Sequence, residues 1–211
     1  MSAPVPALNS STGNSAPPAL LVIAGPAGSG KSTLCDRLVQ ERPEFFRVVT
    51  STTRAPRTSE VDGAHYHFLT PPVFDAKIAA GEFLEWAWVH GERRYGTLKS
   101  SVLKPLAAGQ DLVMSIDVQG VESLRRIAAT DLKFSRSLTT VFIVVEHERL
   151  IARMRARAKD HEEEIVRRLT TAEAELREAA KFDFVIESKT RDEDFAELLK
   201  ILGHARGRTN P

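Results

Sequence analysis

"ALLVIAGPAGSGKSTLCDRLVQERP", residues 19–43, decides the fold. Its first part, "ALLVIAG", is an unbroken apolar run rich in β-strand formers, the pattern of a short buried strand. Its last part places Leu34, Leu38 and Val39 on one helical face, with Pro43 just past the end. Between them, "GPAGSGKS" fits G-x-x-x-x-G-K-[ST], with Gly25, Gly30, Lys31 and Ser32 in the fixed places. A glycine loop between strand and helix aims its backbone N–H groups at phosphate oxygens, and the helix adds its positive N-terminal end. The segment therefore predicts a triphosphate-binding loop made of Gly25, Pro26, Ala27, Gly28, Ser29, Gly30, Lys31, Ser32 and Thr33. Lys31 is expected to bridge the β- and γ-phosphates, and Ser32 to ligate Mg2+. Cys35, one turn into the helix, reads as a small buried side chain.

Outward from this segment, the 211 residues suffice for one medium α/β domain with small inserts. Hydrophobic residues make up 42% and charged residues 27%, as in ordinary globular proteins. A net charge of +1 gives no global pull toward nucleic acid or an anionic membrane, so basic clusters must act locally. One cysteine excludes an intrachain disulfide and favours a reducing compartment. No apolar run approaches the ~20 residues of a membrane helix. "MSAPVPALNSSTGNSAPP" lacks the basic start and apolar centre of a signal peptide, and its composition predicts a disordered tail ending near Pro18.

Further along, strands alternate with helices. "FFRVVTS" reads as one strand and "HYHFLT" as another. "TPPVFDAKIAAG" reads as a helix capped by Thr70 and stopped at Gly81, and "EFLEWAWVHGERRYGT" as a strand and turn. "TLKSSVLKPLAAGQ" predicts a helix kinked by Pro105 and ending at Gly109; "DLVMSID" a buried strand; "VQGVESLRRIAA" a helix. "TTVFIVV" and "FDFVIES" are strands, and helices fill "EHERLIARMRARA", "DHEEEIVRRLTTAEAELREAAKF" and "DEDFAELLKILGHA". This rhythm predicts a parallel sheet covered on both faces, interrupted between about 50 and 96 by short strands and turns that read as an insert.

A phosphate donor loop raises the question of an acceptor. "TSTTRAPR", residues 50–57, sets Arg54 and Arg57 three apart in a hydroxyl-rich loop, and arginine forks match phosphate oxygens. Tyr66, Glu85, Tyr95 and Thr97 follow. A tyrosine hydroxyl donates to phosphate, and a glutamate accepts two N–H bonds from the N1 and N2 edge of guanine. Adenine lacks that donor pair and would leave the buried carboxylate unpaired. Trp86 and Trp88, beside Glu85, are expected in the core or as pocket wall.

"GPAGSGKS", "STTRAPRTSEVDGAHYHF", "FLEWAWVHGERRYGT", "SIDVQG" and "RMRARAKDHEEEIVRRL" together resemble the guanylate kinase family, over about residues 20–202. The resemblance implies a P-loop three-layer α/β/α fold with a central parallel sheet, a mixed α+β GMP-binding insert and a small helical lid. It implies ATP + GMP ⇌ ADP + GDP with Mg2+. The implied division is a tail at 1–18, a core at 19–49, 98–146 and 169–206, the insert at 50–97, the lid at 147–168 and a C-terminal tail at 207–211. By the same resemblance Arg54, Arg57, Tyr66 and Tyr95 hold the GMP phosphate, and Thr50, Glu85 and Thr97 read the base. Asp117 contacts either that base or, through water, the Mg2+ shell. Arg153 lies against adenine, and Arg157 and Arg168 close on the transferring phosphates with Lys31 and Arg57.

The partners implied are ATP and GMP, with no nucleic acid and no membrane, in a cytoplasmic enzyme of purine nucleotide metabolism. Oligomeric state and the use of dGMP stay open. Ser115, Ala158, Arg94 and Glu187 depart from the common family pattern, and the "HGERRYGT" turn is about one residue longer. Two other readings compete: a scaffold domain that binds phosphorylated partners, and a kinase for another small phosphate ester. Intact Lys31 and Ser32 oppose the first; Glu85 and "STTRAPR" oppose the second. Alone, "RMRARA" would read as a solvated basic helix.

Overall fold

All five side chains of β1 (Leu20–Ala24) are fully buried, and they divide by alternation. Leu21 and Ile23 enter one apolar cluster; Leu20, Val22 and Ala24 enter another. A strand buried on both faces belongs at the centre of a parallel sheet, which is where β1 lies. With β2 (Phe45–Arg47), β7 (Asp111–Ser115), β8 (Leu138–Val144) and β9 (Phe184–Glu187) it forms a five-stranded sheet in the order β2-β7-β1-β8-β9, every pair parallel. The computed structural model describes residues 17–89, 93–156 and 162–208.

Helices cover both faces. On one side lie α1 (Lys31–Glu41), through Leu34, Cys35 and Leu38, and α8 (Arg191–Arg208), through Phe195, Leu198, Ile201 and Leu202. Leu150 of α6 (His147–Ala156) and Ala172 of α7 (Glu162–Arg177) complete that cluster. On the other side lie α3 (Lys99–Ala107), α4 (Val118–Ala128) and α5 (Leu132–Ser137), which bury Val102, Val121, Leu124 and Phe134. The short α5, capped by Asp131, is an element the sequence pattern did not reveal. The P-loop α/β fold of three layers is present as expected.

A second, four-stranded sheet runs β4-β3-β6-β5, from β3 (Thr50–Thr52), β4 (Tyr66–Phe68), β5 (Phe83–Val89) and β6 (Arg93–Leu98), with α2 (Pro71–Ala79) between β4 and β5. It is mixed: β3 pairs parallel with β4 and antiparallel with β6, which pairs antiparallel with β5. "FFRVVTS" is thus not one strand. Its first half pairs with β7 and its second with β4 and β6, so the chain changes sheets between Arg47 and Thr50. Periodicity marks extended chain and carries no record of which partner it finds.

Other differences have local causes. Thr70 holds the N-cap position of α2 but makes no side-chain capping bond. The prolines behind it remove one of the N–H groups such a cap would engage. Pro105 sits in the last turn of α3, so its missing N–H falls near the C-terminus, and Gly109 (φ 81°) follows the helix end. The "DHEEE…AAKF" helix stops at Arg177, followed by a 3-10 turn at Ala179–Lys181.

Candidate active site

The cleft opens at the C-terminal ends of the parallel strands, where α/β sheets bind their ligands. β1 delivers the glycine loop. Gly25, Gly28 and Gly30 have φ of 141°, 88° and 103°, left-handed values that side chains resist. Gly25 is constrained twice, since a Cβ there would lie 2.7 Å from the Ile143 carbonyl oxygen on β8. Gly30 is the N-cap of α1, which begins beside the cleft with no side-chain cap and no acidic residue in its first turn. Lys31 Nζ donates to the carbonyls of Gly25 (2.5 Å) and Pro26 (2.9 Å), folding over the loop it follows. Ser29 Oγ, within the loop, is buried and finds no hydrogen-bond partner among the described residues. Gly25, Ala27, Gly28, Gly30, Lys31, Ser32 and Thr33 line the cleft; Pro26 and Ser29 stand behind them.

The second sheet supplies the facing wall. Glu85 of β5 lies directly opposite Thr97 of β6, and the Thr97 hydroxyl donates to Glu85 Oε1 at 2.5 Å. Glu85 is only 6% exposed. Burial pushes its carboxyl up to about 7, helped by the Asp117 charge and opposed by the Thr97 bond. Thr50 lines the cleft beside it. Arg54 is equally enclosed: its fork grips Glu60 with two 2.8 Å bonds, and its Nε donates to the Tyr95 hydroxyl at 3.1 Å. Tyr66 packs edge-on to Tyr95, ring centres 5.8 Å apart, with the Arg54 guanidinium 5.4 Å from its own ring centre. Burial works against the Arg54 charge, but Glu60 and Tyr95 more than offset it and leave its pKa raised. Arg57 is 59% exposed and points at the cleft, its backbone N–H held by Glu60 at 2.7 Å.

Asp117 follows β7 and caps α4 by accepting from the Gly120 N–H at 2.8 Å, while still lining the cleft. Arg153 of α6 lies outside the lining set and donates to the Ser29 carbonyl (3.4 Å) and Ser188 Oγ (3.3 Å). Arg157 lies outside the described residues. Arg168 belongs to α7, but its side chain is not among those described.

The guanylate kinase family model matches residues 18–205. A curated guanylate kinase of Bifidobacterium longum is 40% identical over 189 residues, covering 89% of this chain and 95% of its own length. One from Nitratidesulfovibrio vulgaris is 42% identical over 179 residues, covering 85% and 83%. The chain belongs to the guanylate kinase family. The crystal structure of guanylate kinase from Anaplasma phagocytophilum superposes with a TM-score of 0.72, covering 93% of this chain and 88% of that one; at 23% identity it speaks for the fold. Guanylate kinases are nucleoside monophosphate kinases, transferases that move a phosphoryl group from ATP to GMP.

Against the guanylate kinase pattern the departures find places. Ser115, the last residue of β7, lines the cleft two positions before Asp117. Arg94 is buried between Phe74 and Trp88, ring centres 5.0 and 5.1 Å away, and pairs with Asp75, filling an aromatic's space with a stacked cation. Glu187 ends β9 exposed to solvent. Ala158 lies outside the described residues. Trp86 and Trp88 are 38% and 50% exposed, so they lie outside the core; alternation along β5 turns them away from the Glu85 face, where they wall a second pocket with Val118, Gln119 and Glu122.

Two residues of the site escaped sequence reasoning. Glu60 clamps Arg54 and is nearly buried; its signal was a carboxylate three residues after Arg57, in reach of both arginines. Glu175 of α7 lines the cleft, and burial raises its carboxyl to about 7 against the pull of Lys31 and with the push of Asp117. It sits in an acidic helix where nothing in the pattern separates it from solvated neighbours such as Glu173.

Proposed function

We propose that this cleft catalyses reversible transfer of the ATP γ-phosphoryl group to GMP, with the donor on the glycine loop and the acceptor on the second sheet. The observation that carries the reading is that the glycine loop and the Thr50, Arg54, Tyr66, Glu85, Tyr95 group line one and the same cleft. Phosphoryl transfer needs two phosphates in line within a water-poor space.

The GMP phosphate is received by Arg54, Arg57, Tyr66 and Tyr95. Arg54 is already locked in orientation by Glu60, so little ordering entropy remains to be lost when phosphate arrives. Glu85, in its ionised form, accepts from the guanine N1–H and N2–H groups, with Thr97 steadying one oxygen and Thr50 adding a hydroxyl. AMP would present no such donors. An oxygen of the GMP phosphate attacks the γ-phosphorus, the bond to the bridging oxygen of ATP breaks, and ADP leaves. The attacking oxygen is already anionic, so no side chain must take a proton.

Lys31 exchanges the Gly25 and Pro26 carbonyls for the β- and γ-phosphate oxygens. Arg57, with Arg157 and Arg168 of the lid, neutralises charge on the transferring group. Arg153 lies against the adenine. The division of the chain into core (19–49, 98–146, 169–206), insert (50–97) and lid (147–168) follows from these roles.

Mg2+ fits this donor set. Among the described residues no cluster of three or more His, Cys, Asp or Glu forms a cage. Mg2+ held mostly by phosphates and water needs only one or two protein oxygens. Ser32 would ligate it and Asp117 would reach it through water; when bound it neutralises charge between the β- and γ-phosphates. No described helix is long and apolar enough to cross a membrane. We place the enzyme in cytoplasmic purine nucleotide metabolism.

The test is ADP formation from ATP and Mg2+ with GMP, AMP, UMP or no acceptor. Turnover with GMP alone supports the reading. Equal turnover with AMP, or ADP release without any acceptor, would sink it.

A further inference from the structure

Gly120 is the third residue of α4, and nothing in its backbone calls for glycine: its φ is not left-handed and it lies in a regular helical turn. Alanine is the better helix former at such a position. The constraint is spatial. A Cβ at Gly120 would lie 2.8 Å from Glu85 Oε2 and 3.2 Å from Glu85 Cδ, with Ile116 Cδ1 at 3.0 Å. Glu85 comes from the other sheet, and its second oxygen is held by the Thr97 hydroxyl at 2.5 Å. The carboxylate is therefore wedged between a β6 hydroxyl and the bare backbone of α4. Gly203 of α8 provides the contrast, since a Cβ there would meet no atom within 4 Å.

We propose that Gly120 is a specificity-determining position of the acceptor site: its missing side chain fixes how far the Glu85 carboxylate reaches into the cleft. The carboxylate is the far end of a flexible side chain, so the fold accommodates a methyl group by swinging Glu85 aside. The binding site does not, because two N–H acceptors aimed at one base edge tolerate little displacement. The inference rests on the reading of Glu85 as the guanine acceptor. Gly120 acts through Glu85 and is a positioning residue.

The experiment is a double-mutant cycle of Gly120→Ala and Glu85→Ala, with Gly203→Ala as the helical control. Each protein is measured for kcat, for KM with GMP and ATP, for turnover with AMP, and for melting temperature. Gly120→Ala is expected to raise KM for GMP roughly tenfold to a hundredfold, the worth of a displaced charge-assisted pair. KM for ATP should move little, preference over AMP should narrow, and the melting temperature should not fall. On the Glu85→Ala background, where the methyl has room, the Gly120→Ala effect should shrink to less than about twofold. Gly203→Ala should leave KM for GMP unchanged.

An unchanged KM for GMP in Gly120→Ala overturns the inference, and so does an equal rise on both backgrounds. If Glu85→Ala itself leaves KM for GMP unchanged, the base-reading role of Glu85 fails and the inference with it. If only Glu85→Ala raises it, the role stands and the Gly120 inference alone falls.

Discussion

Glu85→Gln should make the protein more stable and a worse kinase, and the two effects should separate with pH. In the folded protein the Glu85 carboxyl ionises near 7 instead of near 4.5, chiefly because it is buried. A carboxyl whose pKa is raised by folding favours the folded state while protonated, and that advantage is lost as pH climbs from the unfolded to the folded value. The loss amounts to about 3 kcal/mol once pH passes 7. It is about 1 kcal/mol near pH 5.5 and absent below about 4.5. Glutamine keeps an oxygen for the Thr97 hydroxyl and removes the charge. Its stabilising effect should therefore grow by about 2 kcal/mol between about pH 5.5 and pH 8. For a chain of this length that increment corresponds to a gain in melting temperature of roughly 4–8 °C. Urea unfolding of both proteins at the two pH values measures it. The amide presents an N–H where guanine needs an acceptor, so kcat/KM for GMP should fall roughly tenfold to a hundredfold at pH 8. A stability difference that stays flat across this range would refute the argument that burial raises this carboxyl.

Lys31→Ala should cut turnover with GMP by roughly a hundredfold to a thousandfold while the fold persists, as judged by circular dichroism, because the lysine's two acceptors in the loop are carbonyls that solvent can satisfy. Gly25→Ala should destabilise by about 1–3 kcal/mol in urea unfolding, from the strained φ and the Ile143 carbonyl at 2.7 Å, and should weaken ATP binding in titration calorimetry. Arg54→Ala should raise KM for GMP at least about tenfold, and it should cost about 1–3 kcal/mol of stability by leaving Glu60 without its main partner. An Arg54→Ala protein with wild-type GMP kinetics would remove Arg54 from the acceptor site.

Much of this protein was written locally. Residues 19–43 determined strand, glycine loop and helix, because each depends on neighbours within a few positions: an unbroken apolar run, glycine φ and helical periodicity. The fold class followed, since a fully apolar strand repeated between amphipathic helices has few ways to bury both faces. Residue types at motif spacing pointed to Arg54, Arg57, Glu85 and the tyrosines in the same way.

What remained belonged to long-range pairing. The change of sheets at Arg47–Thr50 depends on β7 and β6, far along the chain. The outward turn of Trp86 and Trp88 depends on which face of β5 meets the core. Burial of Glu175 and the close approach of Gly120 to Glu85 bring together groups from distant parts of the chain. The sequence by itself singled out the glycine loop and the Thr50, Arg54, Arg57, Tyr66, Glu85 and Tyr95 side chains that line the cleft, but not Glu175. Only tertiary structure decided their distances and their access to water, because desolvation and Coulomb energies depend on the final packing and have no local signature in the chain.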